Sequence, residues 1–366
     1  MLPKNNIRRG DKYFIYFSHS KLDFNAGASG HDLIFYKSLL DVSKGFFVSL
    51  DSNIFKSDKF LKFFFPLKVI CIYLYSAMKF NKPKIIFCNT GDSFIVHLLP
   101  RIFRTKVCIL SHGLEVMWKK ELPFLRKRRI FYNKFILFPM VNFTLKKADL
   151  IFALNQDELA YIRKHFKYPK VECTSSGYFS DGIKLFSNQN QSRRLVFLGG
   201  FNLIRKGIDL IISVLNEGDI GFGIDKILFA GIDDAGIQFL KKNVNNTVNI
   251  EFKNKYNRFD LNNILHDGDI ILIPSRFEGS PLVMFESLSH GLAPVVAQFS
   301  SAKDWITDGV NGTIFKSYNS SQLKYAIQTH LTRKFDSEFV AKSIFKANWD
   351  NIMFVRITQL KKLNLI

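Results

Sequence analysis

The sequence predicts an α/β chain of two doubly wound domains, each a parallel sheet covered by helices on both faces. Three observations carry that expectation. The 366 residues exceed what one ordinary core holds and suit two domains of roughly 100 to 200 residues each. Short, continuously apolar runs alternate with helix-like stretches, the pattern of strands buried on both faces. The rhythm restarts after residue 190, past "SSGYFSDGIKLFSNQNQS", a stretch of linker composition.

In the first half, strands are expected at "YFIYF" (13–17), "FFVSL" (46–50), "KIIFC" (84–88), "KVCIL" (106–110) and "DLIFAL" (149–154). After the first of them comes the loop "NAGASGHD", with Gly27 and Gly30 ahead of a helix expected to begin near His31. In the second half, strands are expected at "RLVFLGG" (194–200), "KILFAG" (226–231), "VNIEF" (248–252), "DIILIPS" (269–275) and "APVVA" (293–297). These place the domains at 1–178 and 179–345, with a terminal helical segment at 346–366. Ligands of such sheets bind outside the carboxyl ends of the strands, so the strand-to-helix loops are where chemistry is sought.

Composition narrows the class. The hydrophobic fraction of 47% is that of a packed protein, which excludes long disordered tracts. Lys and Arg outnumber Asp and Glu by 52 to 31, a balance of +21 that favours anionic partners: nucleic acid, a membrane surface or phosphorylated substrates. A general Lys, Asn, Ile and Phe bias is the bland reading of the same excess. Cys71, Cys88, Cys108 and Cys173 lack paired spacing, and three sit in apolar runs that read as buried, as in a reduced cytosolic setting. The N-terminus has no apolar signal-peptide core, and the greasiest segments, 59–80 and 135–145, are cut by lysines or too short to span a bilayer.

The loop after "DIILIPS" is the most informative. "RFEGSPLVMFESLSHGLAPVV" (276–296) reads as a Gly-Ser-Pro turn opening a helix, with Ser280 as cap and Pro281 at the first helical position. The backbone N–H groups of Gly279, Ser280, Leu282 and Val283 and the positive end of the helix dipole would then face a diphosphate. Glu286, a turn and a half into the helix, can accept hydrogen bonds from a ribose diol, and Glu278 can reach sugar hydroxyls. Alternatively this is an amphipathic helix with two solvated glutamates and a Gly291 cap.

"EGSPLVMFESLSHGLAP", from Glu278 to Pro294, resembles glycosyltransferase family 4 (glycosyl transferases group 1), which carries E-G-x-P, a second Glu and G-x-P. The resemblance implies a GT-B fold, two Rossmann-like domains facing a cleft, with the terminal helix returning to the first. It also implies donor-diphosphate contacts from a Gly-Arg and a Lys-Gly. In "GGFNLIRKGID" Lys206-Gly207 matches, Phe201 stands where the arginine is expected, and Arg205 is the neighbouring substitute, although adjacent residues on a regular element point apart. Gly27 and Gly30 match the family's glycine-rich loop, and His112 in "SHG" matches its histidine. His112 and Glu278 are the expected catalytic residues; Gly27, Gly30, Lys206, Arg205, residues 279–283 and Glu286 are the expected donor site. Glu115 and His31 are weaker candidates.

The activity so implied is retaining transfer of a sugar from a UDP- or GDP-sugar, without metal or other cofactor, to a saccharide hydroxyl. The leaving diphosphate takes the acceptor proton, so the protein positions substrates and stabilises departing charge. "DD" at 233–234 lacks the spacing of a metal site. The basic, aromatic stretches 118–138 and 59–68 suit an anionic membrane surface or a solvated basic face. On the membrane reading the acceptor is lipid-linked, in bacterial surface polysaccharide biosynthesis such as lipopolysaccharide, with the protein peripheral on the cytoplasmic membrane's inner face. Three alternatives stand beside it: a silent homologue that binds a sugar nucleotide, an epimerase of the same fold and a nucleic-acid binder. No helix-turn-helix, zinc or RNP signature supports the last, and no G-x-G-x-x-G or G-x-x-x-x-G-K-[ST] supports a dehydrogenase or P-loop reading.

Overall fold

"YFIYFS" is aromatic or aliphatic at every position before its last, so it is stable as a strand only where both faces are covered; as β1 (Tyr13–Ser18) it is buried along its whole length. The computed structural model describes residues 7–18, 27–49, 70–89, 105–113, 135, 138–167, 169–188, 193–200, 202–203, 205–218, 224–245, 248–316 and 319–366. These fold as two compact units, Met1–Ser175 with Asp350–Ile366, and Ser176–Trp349.

In the first unit β1 is joined by β2 (Lys44–Ser49), β3 (Ile85–Asn89), β4 (Lys106–Leu110), β5 (Leu150–Ala153) and β6 (Lys170–Cys173), all parallel, in the order β2-β1-β3-β4-β5-β6. The chain runs from β1 outward to β2 and then crosses to β3 on the other side of β1. That reversal is a topological switch point, where carboxyl ends of β1 and β3 leave a crevice. Helices α1 (Gly27–Leu40), α2 (Phe138–Lys147) and α3 (Gln156–His165) belong to this unit, with a further helical stretch at 70–80. Asn155 caps α3 by accepting from the Glu158 N–H, and Glu158 in return accepts from the Leu154 N–H, so two otherwise orphaned donors are satisfied.

The second unit holds β7 (Arg193–Leu198), β8 (Ile224–Ala230), β9 (Asn249–Lys253), β10 (Ile270–Ile273), β11 (Val295–Ala297) and β12 (Thr313–Phe315) in the parallel order β12-β11-β10-β7-β8-β9. Its switch point lies between β7 and β10, which pair Leu195 with Ile270 and Val196 with Ile271. Its helices are α4 (Ile208–Asn216), α5 (Asp234–Asn243), α6 (Leu261–Ile264), α7 (Leu282–Ser289), α8 (Ser300–Trp305), α9 (Ser320–Thr332) and α10 (Ser337–Lys342). Helix α11 (Trp349–Lys362) ends the chain.

The ten expected strands are all present, and each sheet has one more. "KVEC" (β6) and "TIF" (β12) are edge strands of four and three residues, too short and too polar to show as apolar runs. Helix α1 begins at Gly27 rather than near His31, so Gly27 and Gly30 lie in its first turn instead of a preceding loop. Cys88 and Cys108 are buried, but Cys71 is exposed because its apolar run winds into the 70–80 helix, which buries Tyr73 and Ser76 instead. Among the described residues no helix is long and apolar enough to cross a membrane.

Candidate functional site

Each switch point gathers chemistry-bearing side chains. In the second unit the chain after β7 makes a tight turn in which Gly207 takes a left-handed conformation, φ +68°, as the N-cap of α4. A Cβ there would stand 2.1 Å from the backbone oxygen of Pro274, so only glycine lets the turn lie this close to the end of β10. The turn is further fastened: the Arg276 N–H donates to Arg205 O (2.9 Å), and the Arg276 guanidinium makes paired 2.6 Å contacts to both oxygens of Asp209. Neither Asp209 nor Arg276 stands out in sequence, since an isolated charged residue carries no pattern.

This docking brings Lys206 Nζ to 2.6 Å and Arg205 Nη1 to 3.4 Å from the two oxygens of Glu278, whose Oε1 also accepts from Ser275 Oγ at 3.0 Å. Residues 205–207 lie in a turn rather than on a strand or helix, which is why neighbours converge here instead of pointing apart. Glu278 is buried; burial alone would push its carboxyl pKa up, but the charges of Lys206 and Arg205 hold it below the usual value. Two cations thus face one carboxylate, a local excess of positive charge.

Beside them α7 starts. Its N-cap is Pro281, whose position no side chain caps; Ser280, expected as the cap, instead uses its Oγ to accept from the Ser176 N–H at 2.9 Å. The shift of one residue follows from Pro281 taking an extended ψ of 126°, which excludes it from the helix. Gly279, Ser280 and Pro281 therefore form the entry, Leu282 and Val283 the first helical residues, and the positive end of the dipole lies next to Lys206 and Glu278. Glu286 lines a cavity of about 300 Å³ with Tyr178, Phe179, Phe259, Asn262 and His290. Phe259 is largely exposed there, and its ring lies 5.9 Å from that of Phe179. Gly291 follows α7 with φ +77°, as a helix-terminating glycine should.

In the first unit the centre is Asp32 on α1, fully buried. Its carboxylate accepts from Tyr16 Oη (2.7 Å), Ser18 Oγ (2.8 Å) and Asn89 Nδ2 (3.0 Å), and lies 2.8 Å from His112 Nε2. His112 follows β4, and Gly113 (φ +110°) turns the chain immediately after it. Burial pushes the Asp32 pKa up, but His112 and the bonds from Asn89 and Tyr16 keep it below the usual carboxyl range. His31, adjacent in sequence, meets the His112 ring edge-on at 5.4 Å and lies 2.6 Å from Arg356 Nη1 of α11. Arg356, fully buried, also donates to Thr174 Oγ1 and lies over the Phe35 and Phe152 rings; burial brings its pKa down to about 10. Beside such a cation the buried His31 stays neutral, its pKa pushed well down, and its Nε2 is an acceptor. Gly30 is buried one residue before His31.

Sequence reasoning singled out His112 but not Asp32, Asn89 or Arg356. "GHD" could have suggested Asp32; Arg356 had no local signal, lying 325 residues from His31. Asp233 turns out to cap α5 by accepting from the Gly236 N–H. Among the described residues no three His, Cys, Asp or Glu side chains group as a metal site. Phe201, Glu115 and the basic stretch 59–68 lie outside the described residues, as does all of 118–138 except Phe135 and Phe138.

Residues 184–342 match the family model "Glycosyl transferases group 1". Glycogen synthase of Thermus thermophilus is 29% identical over 126 residues, 34% of this chain and 28% of that protein. An uncharacterized 41.2 kDa protein in the cps region of Klebsiella pneumoniae is 22% identical over 160 residues, 44% of this chain and 43% of that one. The matches thus span well under two thirds of these curated relatives. Among solved structures, sucrose-phosphate synthase from Thermosynechococcus elongatus superposes with a TM-score of 0.77 at 15% identity, covering 96% of this chain and 99% of its own. The lipopolysaccharide outer core galactosyltransferase WaaB gives 0.67 at 12% identity, covering 93% and 97%. The fold is GT-B.

Proposed function

We propose, from the match of residues 184–342 to the glycosyl transferases group 1 family model, that this chain is a retaining glycosyltransferase that uses a nucleoside-diphosphate sugar. The observation that carries the reading is the excess of positive charge where Lys206 and Arg205 meet Glu278 beside the uncapped start of α7. A diphosphate placed there gains both cations and the dipole, and a departing diphosphate gains them most as its charge develops. Glu286 in its aromatic-lined cavity accepts the ribose diol, and Phe259 and Phe179 offer faces for a base. Gly27 and Gly30 allow backbone to approach the sugar, and His112 hydrogen-bonds a sugar hydroxyl. Retention follows if the leaving diphosphate takes the acceptor proton on the face it vacates.

For the acceptor we infer a saccharide hydroxyl on a lipid carrier, in surface polysaccharide biosynthesis, with the protein bound to an anionic membrane face. The basic and aromatic stretches at 59–68 and 118–138 support this, as do the WaaB and cps-region likenesses. UDP- and GDP-sugars are the expected donors; among the similar structures, Anabaena HepE carries UDP-glucose and an Arabidopsis starch synthase ADP.

The test is thermal unfolding of wild type and Glu286→Ala against a panel of UDP-, GDP- and ADP-sugars, followed by NMR of the transferred sugar. At 100 times Kd a donor adds roughly 2.7 kcal/mol to the native state. Stabilisation by one donor that is lost in the variant, with product of unchanged anomeric configuration, is expected. Donor binding without transfer to any acceptor would favour the silent homologue, and no binding at all would reject both.

A further inference from the structure

Asp32 is acceptor-only while ionised, and its two oxygens offer about four lone-pair sites. Tyr16, Ser18 and Asn89 donate to three of them. Tyr16 stays a phenol, since burial and then Asp32 itself push its pKa well above normal. The fourth contact is His112 Nε2, 2.8 Å away. An unprotonated Nε2 would there face the carboxylate lone pair to lone pair, so Nε2 carries the hydrogen. The other ring nitrogen, Nδ1, has no hydrogen bond among the described residues, and the side chain keeps 18% of its surface exposed.

We infer that Asp32 is a positioning residue that fixes the single hydrogen of the neutral form of His112 on Nε2 and leaves Nδ1 of that form as a lone-pair acceptor for a hydroxyl of the bound ligand. The class of group taken at this point is thereby set: a donor, such as a sugar O–H, and not an ionised phosphate oxygen, which has no hydrogen to donate. The other charged and titratable neighbours do not supply the lock. His31 meets the ring edge-on and is engaged by Arg356 Nη1, while Arg356 is turned to His31, Thr174 and the Ser175 carbonyl. The inference rests on the proposed sugar-transfer reading for the identity of the ligand, but the tautomer does not.

The experiment is long-range 1H–15N correlation on full-length protein labelled with 15N-histidine, without substrate, with His112→Gln assigning one of the eight histidines. Wild type above the range of histidine titration is expected to show His112 as Nε2–H; an Nδ1–H signal or an equal mixture would overturn the proposal. Asp32→Asn, whose amide can donate to Nε2, is expected to move His112 toward Nδ1–H, and an unchanged spectrum in a folded variant would also overturn it. Should Asp32→Asn fail to fold, the wild-type spectrum still decides. With a donor in hand, kcat in Asp32→Asn should fall by roughly ten- to a hundredfold, the range seen when the carboxylate that orients a metal-ligating histidine is removed. Equal kcat with a switched tautomer would sink the catalytic relevance. Absence of transfer in wild type would instead reject the enzyme reading and leave the tautomer result standing.

Discussion

Gly207→Ala tests whether the Lys206 turn is pinned against β10. The left-handed conformation at φ +68° costs a residue with a Cβ about 1–2 kcal/mol. The new Cβ would lie 2.1 Å from Pro274 O. Ordinary carbon–oxygen contacts begin near 3.3 Å, so the turn must retreat by about 1 Å, and forced overpacking of this kind costs about 1–3 kcal/mol. The retreat would also strain the Arg276 N–H bond to Arg205 O and draw Lys206 away from Glu278. Gly218→Ala is the matched control: its φ is +89° but nothing lies within 4 Å of the new methyl. Both alanines restrict the unfolded chain alike, so the difference isolates the collision. Thermal unfolding followed by circular dichroism should place Gly207→Ala about 1–3 kcal/mol below Gly218→Ala, several degrees in Tm for a unit of this size. Equal loss in the two variants would refute the claim that the backbone of β10 fixes this turn.

Three further expectations follow from the same contacts. Lys206→Met strips the 2.6 Å partner from a buried carboxylate and should destabilise by about 2–4 kcal/mol in urea titrations, while adding Glu278→Gln should recover part of that loss; simple additivity would deny the coupling. Because the Glu278 pKa is lowered on folding, its stabilising contribution exists above the unfolded value and disappears as pH falls through the folded one; in Lys206→Met, where the folded pKa is less depressed, that acid loss should be smaller and be complete at higher pH. His330, buried against Phe335 with Thr313 Oγ1 on its Nδ1, has its pKa pushed down to about 3, mainly by burial. Below about pH 6.5 the unfolded chain takes up a proton there that the native state refuses, so at pH 5 this one group should lower stability by about 2 kcal/mol; His330→Gln should flatten urea-derived stability between pH 7 and 5, and an unchanged slope would contradict it.

How much of this was legible in the sequence depends on the range of each interaction. Fully buried strands announce themselves because both faces must be apolar, whereas β6 and β12, at sheet edges, needed partners the sequence could not show. Glu278 and Glu286 were legible because loop, turn and helix fall within nine consecutive residues. Their partners were legible only in part. The Lys206-Gly207 pair is visible as a pattern, but its reason is the Pro274 carbonyl 67 residues later, which leaves room for no side chain. Ser280 was misread because a serine beside a helix start is a cap by default, until a distant N–H, that of Ser176, takes its hydroxyl.

The two switch points also show why one topology serves opposite electrostatic ends. In both, two paired parallel strands send their connections to opposite sides, so the residues at and just beyond their carboxyl ends meet there. After β7 and β10 the followers are two cations, one carboxylate and an uncapped helix start, and the surplus is positive. On and after β1, β3 and β4 stand Asp32, three neutral donors (Tyr16 and Ser18 on β1, Asn89 at the end of β3) and a histidine, and the carboxylate is fully used. A site that must bind a dianion needs the first arrangement, because its carboxylate can be displaced from a cation by phosphate. A site that must aim one ring nitrogen needs the second, because a carboxylate with every lone pair occupied has no other orientation to offer. If Asp32 were there only to fill the core, replacing it with asparagine would disturb stability and leave the His112 tautomer where it was.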